Sequence, residues 1–270
     1  MKMLICVSKL PYAEATLSFG GLIAAVEGAD VTLLTVVDDE IKRPLAEEML
    51  ARAQMLLPIA QVETAVSFGS PVAAILKQAE SGQYATIVIG GHILSGFLDR
   101  FAPSTMKKVA TKAAANVLVV RENPAALDHI LVCTAGREVD RPLIEKSASL
   151  AKEADAKVTL LFVSAPVPVM YTGLKTMDET LAELLKSDTL QARELKWSVQ
   201  HFKDNSIDVK LKLRSGIITD EIHHEINEGS YALVIVGAQT ENNLWSELLV
   251  GNITGDIVEL SATSVFVVRS

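Results

Sequence analysis

Apolar residues occur along the chain as short runs, separated by longer stretches in which they recur at helical spacing. Residues 3–7 form the first run, which predicts a buried strand, and residues 12–27 follow with the period of an amphipathic helix. Gly28 then fits a C-terminal helix cap. The same alternation continues to residue 120, which predicts a parallel sheet covered by helices on both faces.

The other elements of this first stretch are predicted from the same signals of period, cap and turn. Residues 62–68 alternate between apolar and polar positions, which is typical of a half-exposed strand, and Ser70 followed by Pro71 predicts the start of a helix. The remaining predicted strands are 30–37, 86–90 and 117–120, and the remaining predicted helices are 45–57 and 104–115, the latter opened by Ser104.

The whole pattern occurs twice. The segment "ADVTLLTVV" (29–37) returns as "AKVTLLFVS" (156–164), and "QYATIVIGG" (83–91) returns as "SYALVIVGA" (230–238). Similar segments in the same order indicate an internal duplication.

The two copies differ in length. The first pair of similar segments is 127 residues apart and the second pair 147, which places about 20 additional residues within 164–216 of the second copy. These residues predict a loop over 165–177 and a long helix over about 176–203. The loop covers the cleft of its own repeat, contacts a partner, or is a plain ordered loop. We therefore predict two domains, residues 1–122 and 127–270.

Composition narrows the classes of function. The chain has 25 Lys and Arg against 33 Asp and Glu, and this net charge of −8 opposes nucleic-acid binding. The apolar runs are too short for a secretory signal or a membrane span, so we expect a cytoplasmic protein that contacts neither nucleic acid nor membrane. Cys6 and Cys133 lie in apolar runs and are predicted to be buried thiols. No His-x-x-x-His or Cys-x-x-Cys spacing occurs, so no metal site is expected.

Two tandem units, each ending in V-x-V-V-R, resemble the universal stress protein family. The first strands "MLICVS" (3–8) and "HILVCT" (129–134) and the turns "IVIGG" and "VIVGA" contribute to this resemblance. It implies two Rossmann-like domains of the adenine nucleotide alpha hydrolase type, each a five-stranded parallel sheet in the order 3-2-1-4-5. It also implies that residues 117–120 pair with 265–268 in an intramolecular pseudo-dimer. A homodimer of the chain and contacts with unidentified proteins are further expectations.

The resemblance implies a nucleotide site from which the first repeat departs strongly. Nucleotide-binding members of the family carry an Asp after the first strand, and then Gly-x-x-Gly, nine residues and Gly-Ser. In the first repeat Ser8 takes the Asp position, Ile93 the second glycine and Pro103 the third, so that only Gly90 and Ser104 match. Proline has no N–H to offer a phosphate, and a branched side chain crowds the space that the phosphate would fill.

The second repeat departs less. Thr134 takes the Asp position and Thr240 the second glycine, whereas Gly237 and Gly251 match and Asn252 can still cap a helix. A bound nucleotide, ATP or AMP, is therefore expected in the second repeat. The candidate binding residues are Thr134, Val163, Gly237, Thr240, Gly251, Asn252 and Ile253, with Ser8, Val36, Gly90 and Ser104 as the weaker set in the first repeat.

The resemblance implies a stress-response protein that acts as a non-catalytic sensor or adaptor. Nucleotide would order residues 238–250 and change the surface that partners meet. The absence of the Asp from both repeats favours an alternative, a scaffold that works through protein contacts alone. Slow ATP hydrolysis ranks last, because the sequence shows no general base together with a carboxylate that could hold a metal ion. His92 is interpreted as a surface loop residue.

Overall fold

The structure, a computed structural model, describes residues 1–57, 59, 61–91, 103–121, 124, 126–164, 181–238 and 253–269, and for Pro103 and Ser104 it describes the helix but not the side chains. The predicted alternation of strands and helices is confirmed. The strands are β1 (Lys2–Cys6), β2 (Asp30–Val37), β3 (Val62–Phe68), β4 (Thr86–Gly90), β5 (Asn116–Val120), β6 (His129–Thr134), β7 (Lys157–Ser164), β8 (Val209–Ser215), β9 (Leu233–Gly237) and β10 (Val265–Val268). The α-helices are α1 (Glu14–Glu27), α2 (Arg43–Met55), α3 (Pro71–Gly82), α4 (Pro103–Lys112), α5 (Arg141–Glu153), α6 (Leu181–Lys186), α7 (Leu190–Asp204), α8 (Ile218–Glu228) and α9 (Ile253–Leu260).

The chain divides into two compact units. The first contains residues 1–126 and 254–269, and the second contains residues 127–253. In the first unit the strands lie in the order β3-β2-β1-β4-β5-β10, so the predicted order 3-2-1-4-5 of the first repeat is confirmed. In the second unit the order is β9-β6-β7-β8, which matches four strands of the same pattern.

The last strand of the second repeat belongs to the first unit. β10 pairs antiparallel with β5, and Val265 lies opposite Val119 while Val267 lies opposite Val117. The predicted pairing of residues 117–120 with 265–268 is therefore confirmed. All other strand pairs for which a register is described are parallel, for example β1 with β2 and β6 with β7.

The terminal arginines of the two repeats support this pairing. Arg121 donates a backbone N–H to Ser264 Oγ at 3.0 Å, and its side chain reaches Val258 O at 2.6 Å in α9. Arg269 donates its backbone N–H to Asn116 Oδ1 at 2.8 Å, and its side chain reaches Ala110 O in α4. Each guanidinium thus bonds a carbonyl near the end of a helix from the other repeat, where a cation is favoured.

The burial of the strands follows their apolar pattern. In β1, Leu4 and Ile5 are fully buried, as expected for a strand with neighbours on both sides and helices on both faces. β3 lies at the end of the strand order, and none of its residues is fully buried: four are half-buried and three are exposed. The periodicity of the sequence therefore distinguishes central strands from edge strands correctly.

Two helix predictions are wrong in detail. The single helix expected over 176–203 is divided in its described part into α6 and α7, because Thr189 Oγ1 accepts a hydrogen bond from Ala192 N at 3.2 Å and starts a new helix there. Ser104 does not open α4, since the helix already includes Pro103, a residue that suits the first helical position.

Candidate functional site

The candidate site lies where the strands end. In open α/β sheets the ligand-side loops follow the carboxyl ends of the strands near the point where strand order reverses. In the second repeat these loops follow β6 and β9, which are neighbours in the sheet, with Cys133 paired to Val236. Thr134 and Gly237 are the next residues of these two strands, so two of the predicted binding residues come together.

A carboxylate that the sequence prediction missed organises the loop after β6. Asp140 Oδ2 accepts hydrogen bonds from Thr134 Oγ1 at 2.9 Å, Ala135 N at 2.8 Å and Arg137 N at 3.4 Å. Thr134 Oγ1 in turn accepts from Gly136 N at 3.0 Å. Asp140 is half-buried, and its second oxygen accepts no hydrogen bond from the described residues.

The strand register corrects one equivalence between the repeats. Cys6 pairs with Leu34 and Cys133 pairs with Leu161, two pairs that are both offset by 127 residues. The counterpart of Ser8 is therefore Ala135, one residue beyond Thr134. The same offset makes Ala13 the counterpart of Asp140, so the first repeat lacks the carboxylate.

Helix α7 forms a wall beside this loop. Gly136 has φ +65°, and a Cβ added there would lie 3.1 Å from Gln191 Cγ and 3.5 Å from Leu195 Cγ. The contact explains why a glycine suits this turn. The long second-repeat connection therefore brings a helix against the loop that carries Thr134.

An ion pair fixes α7 to the helix that follows the loop. Arg141, the first residue of α5, binds Glu194 through both Nη2 and Nε at 2.8 and 3.0 Å. Its guanidinium also lies 4.9 Å from the ring centroid of Trp197. A two-pronged pair of this kind holds a geometry better than a single contact.

The glycines at the ends of β4 and β9 have different surroundings. A Cβ added at Gly237 would meet no atom of the described residues within 4 Å. A Cβ added at Gly90 would overlap Thr16 Oγ1 of α1, and one added at Gly91 would overlap Met106 Sδ of α4. In the first repeat the glycines therefore serve close helix–strand packing.

A buried arginine also holds the beginning of the first-repeat loop. Gly91 N donates to Val120 O at 2.8 Å, and Arg121 Nη1 donates to Gly91 O at 3.1 Å. Arg121 is 7% exposed, and burial lowers its pKa from a very high ordinary value. This backbone segment is bound into the interior of the first unit.

The other predicted site residues occupy varied positions. Ser8 is half-buried after β1, Val36 and Val163 are buried near the ends of β2 and β7, and Ile253 is the first residue of α9. Ser104 lies in the first turn of α4. The predicted residues that lie outside the described ranges are Thr240, Gly251 and Asn252, together with the loop residues Ile93 and His92.

The cysteines are poor nucleophiles. Cys6 is buried, and burial raises the pKa of its thiol far above the ordinary range. Burial also raises the pKa of Cys133 to about 12, so the thiolate is scarce at neutral pH. Among the described residues no group of three or more His, Cys, Asp or Glu side chains is placed to hold a metal ion. Within the same ranges, no helix combines the length and apolarity that crossing a membrane requires.

These features define a tandem Rossmann-like α/β protein whose two repeats have unequal ligand-side loops. A model described as the universal stress protein family matches residues 1–121 and again residues 126–269. The chain belongs to the universal stress protein family.

Solved structures with the same fold extend over almost the entire chain. A universal stress protein from Archaeoglobus fulgidus is similar over 99% of this chain and 96% of that one, at 18% identity and a TM-score of 0.68. A putative universal stress protein from Pseudomonas aeruginosa is similar over 99% of this chain and 92% of that one, at 14% identity and a TM-score of 0.69. No match to a curated protein is found.

Proposed function

We propose that this protein is a non-catalytic sensor or adaptor of the stress response that binds an adenine nucleotide in its second repeat. The observation that carries the proposal is that a Cβ added at Gly237 meets no described atom within 4 Å, next to the loop that Asp140 organises. A glycine with open space at the end of a strand lets a phosphate approach the backbone N–H groups closely.

The first repeat supports this assignment by contrast. Thr16 and Met106 fill the space beside Gly90 and Gly91, and Pro103 gives α4 no N–H at its first position. A phosphate would have to displace packed side chains there. The proposed binding residues are therefore those of the second repeat: Thr134, Val163, Gly237, Thr240, Gly251, Asn252 and Ile253.

Asp140 is a candidate for the carboxylate that nucleotide-binding relatives carry after their first strand. Its Oδ2 is engaged by Thr134 and Ala135, while its Oδ1 accepts no hydrogen bond from the described residues. A carboxylate oxygen of this kind can accept a hydrogen bond from a ribose hydroxyl. The carboxylate would come from the start of the helix region instead of from the end of β6.

The proposal is tested by identifying what the purified chain carries and binds. The protein is denatured, the released small molecules are identified by mass spectrometry, and ATP and AMP are titrated into nucleotide-free protein by calorimetry. We expect about one nucleotide per chain. We expect Gly237→Val to weaken binding at least tenfold, because losing one charge-assisted hydrogen bond costs about 1.5–3 kcal/mol.

The control for this test is Gly69→Val in the first repeat. An added Cβ at Gly69 also meets no described atom within 4 Å, although its φ of +95° makes the change a more severe test of the fold. We expect the control to retain nucleotide binding. Equal loss of affinity in both variants, with the fold intact by circular dichroism, would contradict the proposed site.

The alternative is a scaffold that works through protein contacts alone. The packed glycines of the first repeat and the apolar Ala135 in the second repeat's Asp position favour it. Absence of any nucleotide after denaturation, with no calorimetric signal from added ATP or AMP, would establish this alternative. Release of phosphate from ATP that Gly237→Val abolishes would instead support slow hydrolysis.

The proposal extends to the domains, the cellular location and the partners of the protein. Residues 1–122 and 127–270 act as two domains, and residues 265–268 of the second complete the strand pairing of the first. The protein works in the cytoplasm. Its partners are other proteins, which recognise a surface that changes when nucleotide binds.

A further inference from the structure

We propose that β3 is a pairing edge through which two copies of this chain associate antiparallel. β3 ends the strand order of the first unit, and among the described residues its only strand partner is β2. Its outer side therefore faces no described strand, but Gln54 Nε2 of α2 donates to Val62 O at 2.6 Å, so the available part of this edge runs over residues 63–68. Edge strands of this kind pair with other chains unless charges, prolines or bulges prevent it.

The equivalent edge of the second repeat is protected by charge. Val31 pairs with Val62 and Val158 with Val209, so β8 is the counterpart of β3 at an offset of 147 residues. Lys210, Lys212 and Arg214 alternate along β8. Lys212 and Arg214 turn inward to Glu225 of α8, and inward-pointing charges on an edge strand are a recognised protection against edge-to-edge association.

β3 lacks that protection. The positions of Lys210, Lys212 and Arg214 are taken in β3 by Glu63, Ala65 and Ser67. β3 therefore has one charge over seven residues. Phe68 at its end is 39% exposed, so the edge also offers apolar surface.

The chain already contains an example of such pairing. β5 and β10 have the sequences "NVLVV" and "VFVV", which carry no charge, and they pair antiparallel with each other. Both strands occupy the fifth position of their repeats. The chain thus shows antiparallel pairing between two strands that carry no charge.

The sequence of β3 complements itself. Antiparallel pairing centred on Ala65 places Ala65 opposite its own copy, Glu63 opposite Ser67 and Thr64 opposite Val66. The Glu63 side chains of the two copies are therefore not directly opposite each other, so the pair avoids the destabilising contact between like charges. A two-fold arrangement uses the same surface twice and closes at two chains, so it favours a second copy over a growing filament.

The pairing is expected to be weak and reversible. A single pair of seven-residue strands buries less surface than a standard stable interface of about 1,600 Å². Association should therefore depend on protein concentration. The proposal does not depend on nucleotide binding, since β3 lies in the first repeat, outside the proposed site.

The first test is sedimentation velocity of the full chain over a wide range of concentration, comparing the natural sequence with Thr64→Lys. Thr64 is exposed, and two new ammonium groups would lie diagonally across the pair. We expect the natural chain to dimerise reversibly, and we expect Thr64→Lys to raise the dissociation constant at least tenfold. Ala25→Lys, which adds the same charge at an exposed position of α1, should leave it unchanged.

The second test asks whether β3 itself meets its copy. Thr64→Cys and Ala25→Cys are treated with a short thiol-specific bis-maleimide, while the natural Cys6 and Cys133 stay unreactive because burial raises both thiol pKa values. We expect a cross-linked dimer only from Thr64→Cys. A natural chain that stays monomeric at all concentrations overturns the proposal, and so does a dimer that Thr64→Lys leaves intact and Thr64→Cys fails to cross-link.

Discussion

The two repeats share a fold and differ in what fills equivalent places. At the end of β4, the side chains of Thr16 and Met106 occupy the space beside Gly90 and Gly91. At the end of β9, a Cβ added at Gly237 would meet no described atom within 4 Å. A glycine that follows a buried strand can thus serve either tight packing or ligand approach. The motif alone does not distinguish these roles, because the deciding atoms come from a helix elsewhere in the chain.

The space between the sheet and helix α3 in the first repeat, or its counterpart α8 in the second, shows a second difference. In the second repeat the buried Glu225 binds Lys212 at 2.5 Å, Arg214 at 2.7 Å and the hydroxyl of Tyr231 at 2.5 Å. Burial alone would raise the pKa of Glu225, but these hydrogen bonds outweigh burial and hold the pKa below its ordinary value. Gln78 takes the same position in the first repeat. The second repeat therefore depends on a charge network that the first does not need.

The largest expected effect comes from breaking this network. Glu225→Ala removes the buried carboxylate from Lys212 and Arg214, and we expect a cost of about 3 kcal/mol, the lower end for a broken buried pair, because Arg214 keeps Glu221 and Glu228. Both tryptophans of the chain, Trp197 and Trp245, lie in the second repeat, so the fluorescence of urea-denatured samples reports on its unfolding. We expect a clear loss in the free energy of unfolding. Gln78→Ala is the matched control and should cost less than about 1 kcal/mol. A loss below that level for Glu225→Ala would show that the network does not stabilise the repeat.

An intermediate effect is expected from the two glycines. Gly90→Ala forces a methyl group against Thr16, and overpacking of this kind costs about 1–3 kcal/mol. Gly237→Ala should change stability by less than about 0.5 kcal/mol. Hydrogen exchange of peptides from β4 and β9 measures the two sites separately.

A second substitution tests whether Thr16 is the cause of the loss at Gly90. Thr16→Ala removes the hydroxyl that the new methyl group would meet, so it should restore most of the stability that Gly90→Ala loses. Equal losses at Gly90 and Gly237, or no rescue, would mean that the two turns are packed alike.

The smallest effect concerns pH. Burial, with a contribution from Lys157, lowers the pKa of His129, whose Nε2 lies 2.9 Å from Thr159 Oγ1. The unfolded chain therefore binds a proton more readily than the folded chain, and stability should fall as pH drops through about 6.5 towards the lower folded value.

The pH dependence is measured as the free energy of unfolding between neutral and mildly acidic pH. We expect His129→Gln to flatten the slope. His201→Gln, in the second repeat but in α7, is the control and should leave the slope unchanged. An unaltered slope in His129→Gln would assign the acid sensitivity to other groups.

Much of the fold could be predicted from the sequence. Alternation of apolar runs and helical periods gave the elements, and the duplication gave the two repeats. The break at Thr189 was missed although the "SDT" cluster before α7 is a helix-start signal, because the apolar period continues across it. The register error at Thr134 arose because short similar strands can be aligned one residue apart.

The site was harder to predict, and Asp140 shows the reason. No known motif contains a carboxylate at this spacing from Thr134. The role of Asp140 becomes visible only in the folded loop, where Thr134 Oγ1, Ala135 N and Arg137 N all donate to its Oδ2. The packing of Gly90 against Thr16 was equally hidden, since these residues lie far apart in the sequence.

Local patterns alone determined that this chain forms two parallel α/β repeats, because hydrophobic period and strand–helix alternation act over neighbouring residues. Only the folded chain shows that Gly90 is packed against Thr16 while an added Cβ at Gly237 meets no described atom within 4 Å. It also shows that the carboxylate of Asp140 returns to the loop after β6, and that β3 and β8 are the edge strands. These outcomes depend on side chains brought together from distant parts of the chain, whose positions are set by the packing of whole helices against the sheet.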